Sequence, residues 1–420
     1  REVLYTWRTT AGLRPEDHTA ALYYLGRAVR GRGGGDFLDQ CSQQDALQRE
    51  LQGDPDFAAL LAAVNDHIST LSPKGLARTI LALADTHEDL PFVHPALPRS
   101  HTQLLLAIVD SASHRLLEAW NRSEPHDDRD LALPLFALSR LGVYTREVFA
   151  CGSRLLADKI AAASRIPIEG LRQWLLACNG VNHMLTAAEE AAVVQYPRKA
   201  WASAEHGRLH QLAGSLVFLS NPDPLLGSVI QAINARPPDQ IKDASRMVSL
   251  YGLQAVRILS TSGSLNTSAR LNDALSRRLD YWLEEKVGRT KRSSRLEVDV
   301  GATLSRCGFQ PQHNVQVGHG LSADFRCTDR GLTFFVEVDG PAHFCVRPAW
   351  RLRGRTVLKR RLFAAAGLRL ASVPYWAASA PQAYELRRVS ARGPRLDMST
   401  EELTTLVRSQ LAGQPAPGTA

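Results

Sequence analysis

The chain has 420 residues, a net charge of +8, 44% apolar and 22% charged residues. That balance argues against a low-complexity or disordered chain and leaves room for two or three domains. No run of about 18 apolar residues occurs, so no membrane span is expected. The six cysteines (Cys41, Cys151, Cys178, Cys307, Cys327, Cys345) form no CxxC pair and no zinc-ligand spacing, which points to unpaired thiols.

Residues 1–290 read as helical throughout. "LARTILALADTHEDL" (76–90), "LALPLFALSRLGVYTREVFACGSRLLADKI" (131–160), "LRQWLLACNGV" (171–181), "LAGSLVFLSNPDPLLGSVIQAI" (212–233) and "LNDALSRRLDYWLEEKV" (271–287) carry leucines at three- and four-residue spacing. Valine and isoleucine are sparse relative to leucine and alanine, which favours helix over strand. The segments starting at 131, 171 and 212 recur about every 40 residues, each a helix, a Gly/Asn/Pro break and a second helix. This period predicts a solenoid of stacked helix pairs, with a non-repeating bundle as the alternative. Polar breaks fall at 31–35, 121–130 and 288–295, and the basic "GRTKRSSR" of the last reads as a linker.

Behind the linker the pattern changes. "LEVDVGATLSRCGF" (296–309) reads as a helix with Gly308 at its end. "HNVQV" (313–317), "SADFRC" (322–327) and "TFFVEVDG" (333–340) read as strands, the last two a hairpin through "TDRG" (328–331). "GRTVLKRRLFAAAGL" (354–368) is a helix closed by Gly367, and "RLASVPYW" (369–376) a final strand ended by Pro374. The fold class is therefore mainly α with a C-terminal α/β domain: a helical repeat region over 1–290, a small mixed-sheet domain over 291–398, and a short helix with a disordered tail over 399–420.

Charge is unevenly placed. Between Arg295 and Asp397 lie 16 Lys/Arg and 8 Asp/Glu, leaving 34 basic and 34 acidic residues elsewhere. The excess concentrated in one domain suggests a polyanionic partner such as nucleic acid. Arg347, Arg351, Arg353, Arg355, Lys359, Arg360 and Arg361 follow one another with no acid between and are candidate phosphate contacts. Trp350, Tyr375 and Trp376 are candidate stacking platforms for unpaired bases. On the helix, Leu358, Leu362 and Ala365 form the expected core stripe, which turns Lys359 and Arg360 toward solvent.

In "FFVEVDGPAHF" (334–344), Glu337 and Asp339 share one strand face while Phe334, Val336 and Val338 share the other. Asp324 on the neighbouring strand faces the same pair. Three carboxylates at one sheet edge form a hard-oxygen set suited to Mg²⁺, and the competing reading makes them polar anchors of the strand end.

"FFVEVDGPAHF" followed by "GRTVLKRRLFAAAGLRLASVPYW" resembles the RAP domain, an RNA-binding domain related to the restriction-endonuclease-like fold. The helices before it resemble those of organellar RAP proteins, including the FAST-kinase-like mitochondrial proteins. The resemblance implies an endonuclease-like sheet in which Asp324 and Glu337 take the two acidic positions, Glu297 is an extra acid and His343 a general acid or base. Asp339 stands where the nuclease lysine belongs, so the site is expected to be a degenerate one, with no catalytic residue, no metal ligand and no cofactor; Mg²⁺ enters only if the nuclease alternative holds. The resemblance implies the mitochondrial matrix and RNA as partner. Three functions compete: a mitochondrial ribosomal component bound to rRNA among ribosomal proteins, an RNA processing or stability factor, and a metal-dependent endoribonuclease.

Overall fold

The computed structural model describes residues 1–31, 46–48, 50–51, 53–87, 99–122, 128–162, 166–197, 201, 204–223, 225–236, 243–265, 270–287, 293–348, 350–375, 396, 398–412 and 414. The chain is mainly helical with a small C-terminal mixed sheet. It forms two compact units, Arg1–Pro197 with Val346–Pro348, and Arg198–Cys345 with Ala349–Ala420.

The first unit contains helices α1 (Glu2–Thr9), α2 (Pro15–Gly31), α3 (Pro55–His67), α4 (Pro73–Thr86), α5 (Arg99–Asn121), α6 (Asp128–Arg140), α7 (Arg146–Ala161), α8 (Ile168–Gly180) and α9 (Ala187–Val194). Proline at the first position pre-sets the backbone of α2, α3 and α4. Asp54, Ser72 and Thr186 cap α3, α4 and α9 with their side chains, Thr186 in a reciprocal capping box with Glu189. The helices stack in two rows: α2, α4, α6 and α8 pack successively, and so do α3, α5, α7 and α9. This is the helical repeat expected from the leucine spacing. Each helix buries a stripe such as Leu131, Leu135 and Leu138 of α6 at 0% exposure, worth about 1.5–3 kcal/mol per fully buried side chain.

The second unit contains α10 (His206–Leu216), α11 (Leu225–Asn234), α12 (Asp243–Thr261), α13 (Asp273–Val287), α14 (Arg295–Arg306), β1 (Gln312–Val317), β2 (Leu321–Asp329), β3 (Leu332–Asp339), α15 (Gly354–Ala365), β4 (Leu370–Pro374) and α16 (Thr400–Ala412). The compact units therefore do not divide at residue 290, where the sequence pattern changes. The reason is packing: Gln254 Nε2 donates to the His319 carbonyl at 2.9 Å, α12 packs on α15, and Arg361 Nη1 donates to the Val217 carbonyl. Helices α10–α13 are thus built onto the α/β part.

The sheet order is β1-β2-β3-β4, antiparallel except for the parallel pair β3–β4. Arg330 and Gly331 both take positive φ in the β2–β3 turn, as a two-residue turn matching strand twist requires. One sheet face carries Phe325, Phe334, Val336, Val338, Ala371 and Val373 into a core with Leu296, Val300 and Leu304 of α14 and Leu403 and Val407 of α16. The α/β core thus needs α16, so it extends past residue 398. The other face is covered by α15, whose Phe363 ring meets that of Phe335 edge-on at 5.8 Å. The expected break at 31–35 beyond Gly31, the linker residues 288–292, Trp376 and the tail from 415 lie outside the described residues.

Candidate functional site

The alternation of β3 decides the site. With even-numbered residues in the apolar core, Phe335, Glu337 and Asp339 face α15. Parallel pairing sets Ser372 of β4 beside Glu337, and Asp324 of β2 lies on the same face. Exposure is 6% for Asp324, 4% for Glu337 and 1% for Asp339, so each carboxylate needs an internal partner.

Each has one. Asp324 Oδ2 accepts from the Val338 N–H at 2.8 Å. Lys359 Nζ lies 2.6 Å from Glu337 Oε1, a charge contact whose angle falls short of a hydrogen bond. Asp339 Oδ2 accepts from Arg360 Nη2 at 2.5 Å and from Ser372 Oγ at 2.6 Å, while His343 Nδ1 lies 2.8 Å from Oδ1, again out of hydrogen-bond alignment. Ser372 and Arg360 also share a hydrogen bond of 2.7 Å.

The two central acids are driven in opposite directions. Burial pushes the Glu337 carboxyl up to about 7; Lys359 opposes this, while Asp324 and Asp339 add to it. Burial also works against ionised Asp339, but His343, Arg360 and Ser372 outweigh it and hold its pKa below the usual carboxylate range. Asp339 is therefore the fixed anion of the cluster and Glu337 its titrating member.

This corrects the expected orientation of α15. Its inward stripe toward the sheet is Thr356, Lys359, Arg360 and Phe363, at spacings of three and four, so Lys359 and Arg360 turn their charged ends onto the carboxylates while staying about a third exposed. The site has cations after all, delivered from the helix rather than from β3. Glu297 sits in the first turn of α14, on the helix covering the other sheet face, and closes an N-cap with Ser294. Among the described residues no three His, Cys, Asp or Glu side chains converge as a metal site, so as placed the carboxylates do not fit one Mg²⁺ position.

The remaining basic residues divide. Arg347 pairs with Asp110, Arg353 Nε donates to the Phe344 carbonyl at 3.0 Å, and burial lowers the pKa of Arg361 against Val217. Arg351 is half-buried. Arg355 is exposed, and Trp350 is 51% exposed on the segment leading into α15. Tyr375 is buried in the core against Phe344, which removes it as a stacking platform. Sequence reasoning missed Ser372, whose only signal is its register opposite Glu337.

No protein-family model matches the chain, and no curated protein matches it.

Proposed function

We propose that this chain is an RNA-binding protein of the mitochondrial matrix, held on ribosomal RNA as a ribosomal component. The observation that carries the reading is Trp350 and Arg355, both exposed where the chain enters α15, on the domain that holds the whole +8 excess. An exposed indole offers a stacking face to an unpaired base, and an unburied guanidinium matches phosphate oxygens. The parallel strands β3 and β4 end on this side of the sheet, where open α/β sheets present ligand crevices. The resemblance to organellar RAP proteins supports the compartment and the ribosomal partner. Binding of single-stranded RNA by the full chain tests the reading: Trp350→Ala and Arg355→Ala should weaken it without changing the melting temperature. Equal affinity in both variants overturns the site. Release from ribosomal subunits in high salt overturns the ribosomal assignment in favour of a free processing factor.

One observation favours a second reading, RNA cleavage. Lys359 beside Glu337 supplies the lysine that β3 lacks. That reading needs the carboxylates to give up their present partners, and Mn²⁺-dependent cleavage abolished by Glu337→Gln would establish it.

A further inference from the structure

Helices α2 and α4, neighbours in one row of the helical unit, carry cations without acidic partners among the described residues. On α2, Tyr24 is 63% exposed and its ring meets Tyr23 edge-on at 6.0 Å. Arg78 of α4 lies over the Tyr23 ring, 5.7 Å from its centroid. Arg27 follows Tyr24 by three residues and Lys74 precedes Arg78 by four, so both flank the rings on the exposed sides of their helices. The helices are close neighbours: a Cβ on Gly26 would meet the Ala82 backbone at 3.1 Å, which holds the tyrosine and arginine rows side by side.

Two of the three acids of these helices are spent elsewhere, and Glu16 stands exposed in the first turn of α2, two turns before Tyr23 and three before Arg27. Asp17 bonds Arg14 at the far end of α2, and Asp85 is buried against Arg140. Among the described residues none of Arg27, Lys74 and Arg78 has an acidic partner, unlike Arg8, Arg14 and Arg140 of the same unit. Two tyrosine rings bordered by three uncompensated cations are the combination that tracks a single strand, with bases on the rings and phosphates on the cations.

We propose that Tyr23, Tyr24, Arg27, Lys74 and Arg78 form a second contact surface for single-stranded RNA, independent of Trp350 and Arg355. The inference rests on the RNA-binding reading above and adds a place where that RNA is held. Because stacking and phosphate contact tolerate any base, this surface adds affinity and not sequence preference.

The test is titration of a labelled single-stranded RNA with the full chain across a salt series. Tyr24→Ala should weaken binding about tenfold, and Tyr24→Phe should retain it, since the ring does the stacking. The combined Arg27→Ala, Lys74→Ala and Arg78→Ala variant should flatten the log–log salt slope by about 2, at about 0.7 per phosphate contact. These side chains are exposed, so the melting temperature serves as a check that the fold is intact. If Trp350→Ala weakens RNA binding while the α2–α4 variants bind like wild type, this inference falls and the RNA-binding reading stands. If wild type binds no RNA, both fall. If the α2–α4 variants keep RNA affinity but lose binding to vesicles of anionic lipid, the surface faces a membrane and the inference is wrong.

Discussion

Lys359 of α15 reaches across to within 2.6 Å of Glu337 on β3, and Arg360, the next residue, does the same for Asp339 at 2.5 Å. Two adjacent cations on a helix thus neutralise two carboxylates spaced two apart on a strand. A pattern that reads as a basic surface in the sequence is an internal charge lattice in the fold. The pairing is unequal: Asp339 also holds Ser372 and His343, whereas among the described residues Glu337 has only the off-angle lysine.

This inequality predicts a pH dependence. The folded pKa of Glu337, about 7, lies above its unfolded value near 4.5, so the folded chain holds this proton more tightly. The stability contributed by Glu337 is complete below pH 4.5 and is lost as pH rises through 7, by up to about 3 kcal/mol at about 1.4 kcal/mol per pKa unit. Glu337→Gln should therefore unfold with a flatter pH profile between 5 and 8 and be the more stable protein at pH 8. Asp339→Asn should destabilise the chain by about 1–3 kcal/mol at neutral pH, because it leaves the half-buried Arg360 and the buried Ser372 donors facing an amide. Urea melts at several pH values compare them, and a profile for Glu337→Gln as steep as wild type would contradict the assignment.

The outer edge of β4 is closed by side chains instead of a strand. Gln410 of α16 accepts from the Ser372 N–H at 2.7 Å and donates to its carbonyl at 3.0 Å; Gln414 does the same with Leu370 at 3.0 and 2.7 Å. Gln410 on α16 and Gln414, two residues past its end, bring two amides into step with alternate strand residues. The Gln410→Ala, Gln414→Ala double variant should lose about 2–6 kcal/mol, at about 0.5–1.5 kcal/mol for each of the four hydrogen bonds, and should aggregate more readily through the opened edge. Denaturant titration and light scattering measure both, and unchanged values would show that the edge needs no cap.

Helices α10 and α12 cross at Gly214 and Gly252. A Cβ on Gly214 would lie 2.5 Å from the Gly252 Cα, a backbone atom that cannot swing aside. Gly214→Ala should cost about 1–3 kcal/mol or more despite alanine's better helix propensity. Gly75→Ala in α4 meets only ordinary contacts from 3.4 Å outward and should be neutral or slightly stabilising. Thermal melts of the two variants separate close packing from propensity, and equal shifts would refute the crossing argument.

Much of the architecture was legible because burial follows periodicity. Leucines at three- and four-residue spacing marked the rows around Leu131, Leu135 and Leu138, and the alternation of Phe334, Val336 and Val338 marked the core face of β3. The inward face of α15 was not legible, since of Thr356, Lys359, Arg360 and Phe363, which repeat at helical spacing, only Phe363 is apolar. Its signal was complementary: two acids on one strand face demand cations, and the next helix offers Lys-Arg. The place of α10–α13 with the α/β part was hidden because single long-range bonds such as Arg361 to Val217 leave no periodic trace. Tyr375 reads as a platform only until Phe344 and the core claim its ring.

The division of the basic run gives the last prediction. If Lys359 and Arg360 serve the fold while Arg355 and Trp350 serve RNA, two double variants must behave oppositely. Lys359→Ala with Arg360→Ala removes both counter-charges from carboxylates at 4% and 1% exposure. The chain should then melt lower, by an amount that grows with pH, because protonation rescues Glu337 in acid but not in base. Below the melting transition its RNA affinity should be close to wild type. Trp350→Ala with Arg355→Ala touches only exposed groups, so its melting temperature should be unchanged. Its RNA affinity should fall about tenfold or more through loss of a stacked base, with a salt slope reduced by about 0.7. Calorimetry and RNA titration on both proteins decide the matter. Weakened RNA binding at unchanged melting temperature in the Lys359/Arg360 variant would place those cations on the RNA and reverse the division.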